Sequence, residues 1–192
     1  MRTHPESPAY YSPLARLVAP VQPQTPTVLF AVAASDRQQY VGEQFTRLFA
    51  HTMDDVLRFM TTHAPRLVVV DVDVDSMDAG RICAAAHAMP NTRVLAATSD
   101  VTKAPGLIKA GIEAILLKPL MPSLLAARIG RTMRESFTVR GQRLPGPIRV
   151  WPGTRCPRCS ADGAHSFDFF SHRRMWYACV GCDHVWLGRR QE

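Results

Sequence analysis

The sequence predicts an α/β protein, a doubly wound parallel sheet of (βα)5 type followed by a small β-rich module closed around a metal ion. Two observations carry this. Short apolar runs alternate with amphipathic stretches from Thr27 to about Glu135, the order that a parallel sheet covered by helices requires. Beyond them, four cysteines form two C-x-x-C pairs, Cys156 with Cys159 and Cys179 with Cys182, a spacing that presents two thiolates per turn to one ion.

In chain order, residues 1–25 hold Pro5, Pro8, Pro13, Pro20 and Pro23 among small and polar residues. That composition buries too little surface to offset chain entropy and reads as a disordered arm. Residues 26–136 read as the α/β domain. Val28 to Val32, Leu67 to Val70, Val94 to Ala97 and Ala114 to Leu117 are short apolar runs bounded by polar or turn residues, as buried parallel strands are. A weaker run at Leu48 to His51 completes five. Val41, Phe45, Leu48 and Phe49 share one helical face, as do Val56, Leu57 and Met60 behind Thr52, which caps with Asp55 at N3. A third helix fits Asp78 to His87, and a fourth opens with Pro105 in its first turn. Leu120, Leu124, Leu125, Ile129 and Met133 make the stripe of a fifth. Residues 137–154, with Gly141, Pro145, Gly146, Pro147, Pro152 and Gly153, read as a semi-stiff linker, and 155–188 as the metal-held module.

The length of 192 residues and hydrophobic content of 46% suit one ordinary domain plus a small module. No apolar run approaches the roughly 18 residues of a membrane span, and Met1 to Pro20 lacks the apolar core of a secretory signal. The expectation is a soluble, cytoplasmic protein with no membrane partner. The net charge of +7 comes mostly from arginines after Gly130, which suits an anionic partner or a solvated basic surface. Cys83 stands alone in an apolar helical stretch and reads as core.

In a parallel sheet with right-handed crossovers, functional side chains gather at the C-terminal strand ends. Three polar groups fall there: Asp71 after Leu67-Val68-Val69-Val70, Thr98 after Leu95-Ala96-Ala97, and Lys118 between Leu117 and Pro119. A carboxylate that attacks a phosphoryl donor builds negative charge, which a lysine and a hydroxyl at fixed positions stabilise. The bland alternative is that the three merely solvate and cap strand ends.

In the order and spacing of these residues the chain resembles the receiver domain of bacterial two-component response regulators, a flavodoxin-like fold, over roughly residues 26–136. The resemblance implies that Asp71 accepts a phosphoryl group from a histidine kinase, that Thr98 and Lys118 contact that group, that Lys118-Pro119 is cis, and that homodimers form through a helix face. The chain also departs from the family. Where the family carries a pair of acids that hold magnesium with the phosphoacceptor, this chain has Val32-Ala33-Ala34-Ser35. Magnesium wants a near-octahedral oxygen set, so its binding is uncertain, with Asp36 or Asp73 as partial substitutes. Ile115 stands where an aromatic switch residue is common, and Asp75 where proline is frequent. Two readings stay open: an atypical receiver in a phosphorelay, or a pseudo-receiver kept as a protein-docking scaffold.

The cysteine pairs lie nineteen residues apart and continue into His184 and Trp186. Two such turns close a tetrahedral structural zinc site with Cys156, Cys159, Cys179 and Cys182 as ligands. The metal supplies much of the folding free energy of so small a unit. Between the pairs, Phe167, Phe169, Phe170, Met175, Trp176 and Tyr177 flank Ser171-His172-Arg173-Arg174, a β-hairpin pattern with a basic tip. Residues 151–188 resemble a zinc ribbon of the transcription-associated kind, including the final C-x-x-C-x-H-x-W. The acidic tip pair of transcript-cleavage ribbons is Arg173-Arg174 here, so that activity does not carry over. Arg173, Arg174 and Trp176 are candidates for contact with DNA, RNA or RNA polymerase, with an acidic protein surface as the other partner class. His184, Trp186 and Phe167 read as packing residues. The zinc site is closed to substrate and no catalytic constellation presents itself, so a non-enzymatic role is expected.

Overall fold

The computed structural model describes residues 25–40, 45–134, 149–171 and 174–189. Most of the proline-rich arm and the 135–148 part of the expected linker lie outside them.

Five strands, β1 (Thr27–Ala31), β2 (Thr46–Ala50), β3 (Leu67–Asp71), β4 (Arg93–Thr98) and β5 (Ala114–Leu117), pair in parallel in the order β2-β1-β3-β4-β5. Every residue of β3 and β4 is buried, which explains why central strands read as unbroken apolar runs. Because side chains alternate across a strand, the sheet supports two separate cores. Leu29, Val68, Val70 and Ala96 pack with Val56 and Met60 of α1 (Met53–His63) and Ile82 and Ala86 of α2 (Ala79–His87). Val28, Phe30, Val69 and Leu95 pack on the other face with Leu125 and Ile129 of α4 (Pro122–Arg134). The short α3 (Ala104–Lys109) carries a proline in its first turn. Thr52 and Asp78 cap α1 and α2 by accepting the N–H groups of Asp55 and Arg81.

One element differs from expectation. Leu48 and Phe49 belong to β2, paired with Leu29 and Phe30 of β1, and not to a helix beginning near Val41. Among the described residues the first crossover holds a single 3-10 turn, Ala34–Gln39. The segment satisfied both periodicities, and pairing with β1 decided between them, since a half-buried edge strand tolerates the exposed Thr46 and Arg47.

The second module is an antiparallel sheet in chain order, β6 (Arg149–Arg155), β7 (Asp162–Ser171), β8 (Arg174–Cys179) and β9 (Val185–Arg189). Its first strand starts inside the segment read as a linker. Ala164, Met175 and Tyr177 form its own small core, with Trp151 and Trp186 packed against it. Phe167 and Ala178 instead join the apolar cluster of the first module that contains Leu107, Ile112 and Ile115, with Trp176 and Val185 packed alongside. Lys109 at the end of α3 pairs with Asp183, next to Cys182. The two modules therefore share a core.

Candidate functional site

Asp71 ends β3 with its side chain fully buried (0% exposed). Lys118, at the end of β5, reaches Oδ1 at 2.7 Å and Oδ2 at 2.6 Å. The Tyr40 hydroxyl donates to Oδ2 at 3.1 Å, and the Asp73 N–H donates to Oδ1 at 3.1 Å. A carboxylate offers about four lone-pair sites, and here all are engaged. Burial, then the adjacent Asp71 charge, push the Tyr40 hydroxyl above its ordinary pKa, so it stays a donor. Burial works against the Lys118 ammonium, but the hydrogen bond and charge of Asp71 outweigh it and hold the pKa raised.

Thr98 points at a second carboxylate. Its hydroxyl donates to Asp73 Oδ1 at 2.7 Å, the Ser99 N–H to Asp73 Oδ2 at 2.7 Å, and Lys103 Nζ to Oδ1 at 3.1 Å. Lys118 Nζ lies 3.3 Å from Oδ2. Partial burial raises the Asp73 carboxyl pKa, but the donors from Thr98, Ser99 and Lys103 prevail and hold it well below the ordinary range. Lys103 also donates to the Val72 carbonyl, so the β4–α3 loop is tied to the β3 end at several points. The Lys118-Pro119 peptide is cis.

These residues do not fit the magnesium ion that the resemblance implies. The oxygens of Asp71 and Asp73 are taken by N–H and O–H donors, and two carboxylates face the two ammoniums of Lys103 and Lys118 with no surplus charge for a dication. Ala33 and Ala34 occupy the loop after β1. Asp75 is exposed, and Ile115 is fully buried in the cluster shared with Phe167.

In the second module the Sγ atoms of Cys156, Cys159, Cys179 and Cys182 lie within 4.8 Å of one another, and none is in a disulfide. Four thiolates about 2.3 Å from a central zinc stand about 3.8 Å apart; Cys156 to Cys182 is 3.7 Å and Cys159 to Cys179 is 3.6 Å. The donor set and spacing fit a tetrahedral metal ion. Each knuckle turns its backbone toward a sulfur: the Arg158 N–H donates to Cys156 at 3.4 Å and the Gly181 N–H to Cys179 at 3.3 Å. Burial raises the Cys156 pKa, but the N–H groups of Cys159 and Arg158 and the neighbouring thiols bring it down to about 7, whereas in Cys182 the His184 N–H lowers the pKa and the neighbouring thiols outweigh it and push it up. His184 lies outside the thiol set and stacks on Trp186 with ring centroids 6.0 Å apart.

The strand ends thus bring Asp71 and Lys118 together, while Thr98 serves Asp73. Arg174 is exposed, Trp176 is half-buried at the seam between modules, and Arg173 lies outside the described residues. A cavity of about 600 Å³ at that seam is lined by Lys118, Leu120, Met121, Arg128, Arg131 and Trp176. Sequence reasoning missed Tyr40 and Lys103 and took Asp73 for a magnesium substitute. The one available signal was the pairing of Asp73, two positions past the strand end, with a lysine in the loop after β4.

No protein-family model matches the chain, and no curated protein matches it significantly. Solved structures do. A signal receiver domain from Vibrio parahaemolyticus, named for a LuxO repressor, aligns with TM-score 0.51 and 22% identity over 58% of this chain and 92% of its own. A CheY-like response regulator receiver domain from Methanospirillum hungatei gives 0.51 and 18% over 58% and 95%. A response regulator from Thermotoga maritima gives 0.50 and 22% over 57% and 98%. The first module has the flavodoxin-like fold of response regulator receivers, joined to a separate antiparallel β module that gathers four cysteines around a site for a metal ion.

Proposed function

We propose that this chain is an atypical signalling protein of the response regulator type whose receiver module acts as a docking scaffold without phosphotransfer, and whose ribbon is the output surface. The observation that carries this reading is the closure of Asp71. A phosphoryl acceptor needs a free lone pair and a line of approach, whereas Asp71 is buried and saturated by Lys118, Tyr40 and the Asp73 N–H. Zinc is the ion that the four-thiol set favours, in a structural role that leaves no open position for substrate, and no catalytic activity is assigned.

The charge excess of +7 and the exposed Arg174 point the ribbon toward an anionic partner, nucleic acid or an acidic face of the transcription machinery. Among the described residues no helix is long and apolar enough to cross a membrane. The decisive experiment is incubation with a small phosphodonor and magnesium, read by intact mass beside Asp71→Ala. No adduct on either protein is the expected result; an adduct that vanishes in Asp71→Ala overturns the scaffold reading and restores the phosphorelay one. Binding to DNA or RNA that weakens steeply with salt identifies nucleic acid as the ribbon's partner.

A further inference from the structure

We infer that Asp73 is a built-in ligand for the receiver module's oxyanion cradle: its carboxylate fills the place a tetrahedral oxyanion such as phosphate would take and fastens the β4–α3 loop permanently. The inference deepens the scaffold reading above. The cradle is recognisable by its donors alone. A hydroxyl (Thr98), a backbone N–H (Ser99) and two ammoniums (Lys103 and Lys118) come from the ends of β4 and β5 and from the segment between β4 and α3, and all point at the two oxygens of one side chain. Donors of this kind are what an oxyanion requires. Capping a strand end would take one of them. Four on one carboxylate saturate it.

The anchored loop leads into the second module. Thr98 ends β4 and Ser99 follows it, Lys103 immediately precedes α3, and α3 ends at Lys109, which pairs with Asp183, the residue after Cys182 in the chain. Leu107 of α3 lies in the same cluster as Phe167 and Ala178. A carboxylate that is always present holds this path in one arrangement, where a dissociable anion would hold it only while bound. Asp73 is thus a positioning residue for the docked ribbon.

The test uses the full, metal-loaded chain and inorganic phosphate as the probe. In Asp73→Ala the cradle is vacated, so phosphate should bind saturably and shift the Ser99 amide resonance. The docking lost in the variant, read as faster amide exchange in α3 and at Ala178, should return as phosphate is added. Adding Thr98→Ala to Asp73→Ala should weaken phosphate binding about tenfold, the loss of one hydrogen bond to a charged acceptor. The unmodified protein should show no saturable shift at Ser99.

A folded Asp73→Ala that takes no phosphate overturns the inference, as does an unmodified protein that binds phosphate as tightly as the variant. Should Asp73→Ala fail to fold, Asp73→Ser, which is too short to reach the donors of Thr98 and Ser99 and so also vacates the cradle, carries the same comparison: it should bind phosphate where the unmodified chain does not. These outcomes are separable from the scaffold reading, whose failure shows as a phosphoryl adduct on Asp71 whatever phosphate does at Ser99.

Discussion

Lys118 Nζ stands 2.6 Å from Asp71 Oδ2 and 3.3 Å from Asp73 Oδ2, so one ammonium bridges the two carboxylates of the site. Asp71 is the fully buried member of the pair. Removing one partner of a buried ion pair strands the other charge, at a cost of about 3–5 kcal/mol. Lys118→Met should lose stability on that scale, and Lys118→Met with Asp71→Asn should recover part of it. Urea unfolding of the four proteins of this cycle measures the coupling; additive losses would show that the pair does not act as a unit.

The site should make stability fall at both ends of the pH scale. Tyr40 and Lys118 have folded-state pKa values raised from ordinary values of 10.0 and 10.5, so their contribution is full below those values and lost as the pH climbs through the folded ones. Asp73 is lowered from 3.8; its contribution is present above that and lost as the pH falls toward its folded value. Denaturation midpoints measured from acid to alkaline pH should show both limbs. Tyr40→Phe should flatten the alkaline one and Asp73→Asn the acid one, each leaving the opposite limb in place.

Elemental analysis should find one zinc per chain, and Cys179→Ser should reduce it. With metal bound, a thiol reagent should react slowly. After chelation the four ligand cysteines should react, while Cys83 waits for global unfolding, because its thiol is buried and burial pushes its pKa up to about 11. Rapid reaction of five thiols on chelation alone would mean that metal loss unfolds the entire chain.

Phe167 is 2% exposed and sits in the first module's cluster. Phe167→Ala should cost about 3–5 kcal/mol and split a single calorimetric transition into two as the modules come apart. A single transition at lower temperature would mean that Ala178, Trp176 and Val185 suffice for docking.

Much of this was legible in the chain because the relevant signals are local. Strands buried on both faces announce themselves as unbroken apolar runs, as residues 67–70 of β3 do, and Thr52 and Asp78 cap their helices three residues ahead of the N–H groups they accept. Cysteine spacing and the order Asp71, Thr98, Lys118 follow from chain order alone. The rest depends on three-dimensional approach. Nothing near Tyr40 in sequence tells that its hydroxyl meets Asp71, 31 positions away. The run Asp71, Asp73, Asp75 and Asp78 gives no local sign that the second carboxylate meets the loop after β4 while the fourth caps α2. Phe167 resembles any ribbon core residue until β7 is laid beside β5.

Strand β8 ends in Cys179, one of the four clustered cysteines, and the residue before it, Ala178, is a wall of the core that also holds Ile115. Fraying of that strand opens the receiver sheet's apolar side to proteases, which act on the open population. An ion held by the four thiols would therefore govern how long the whole chain survives, and not the stability of the small module alone.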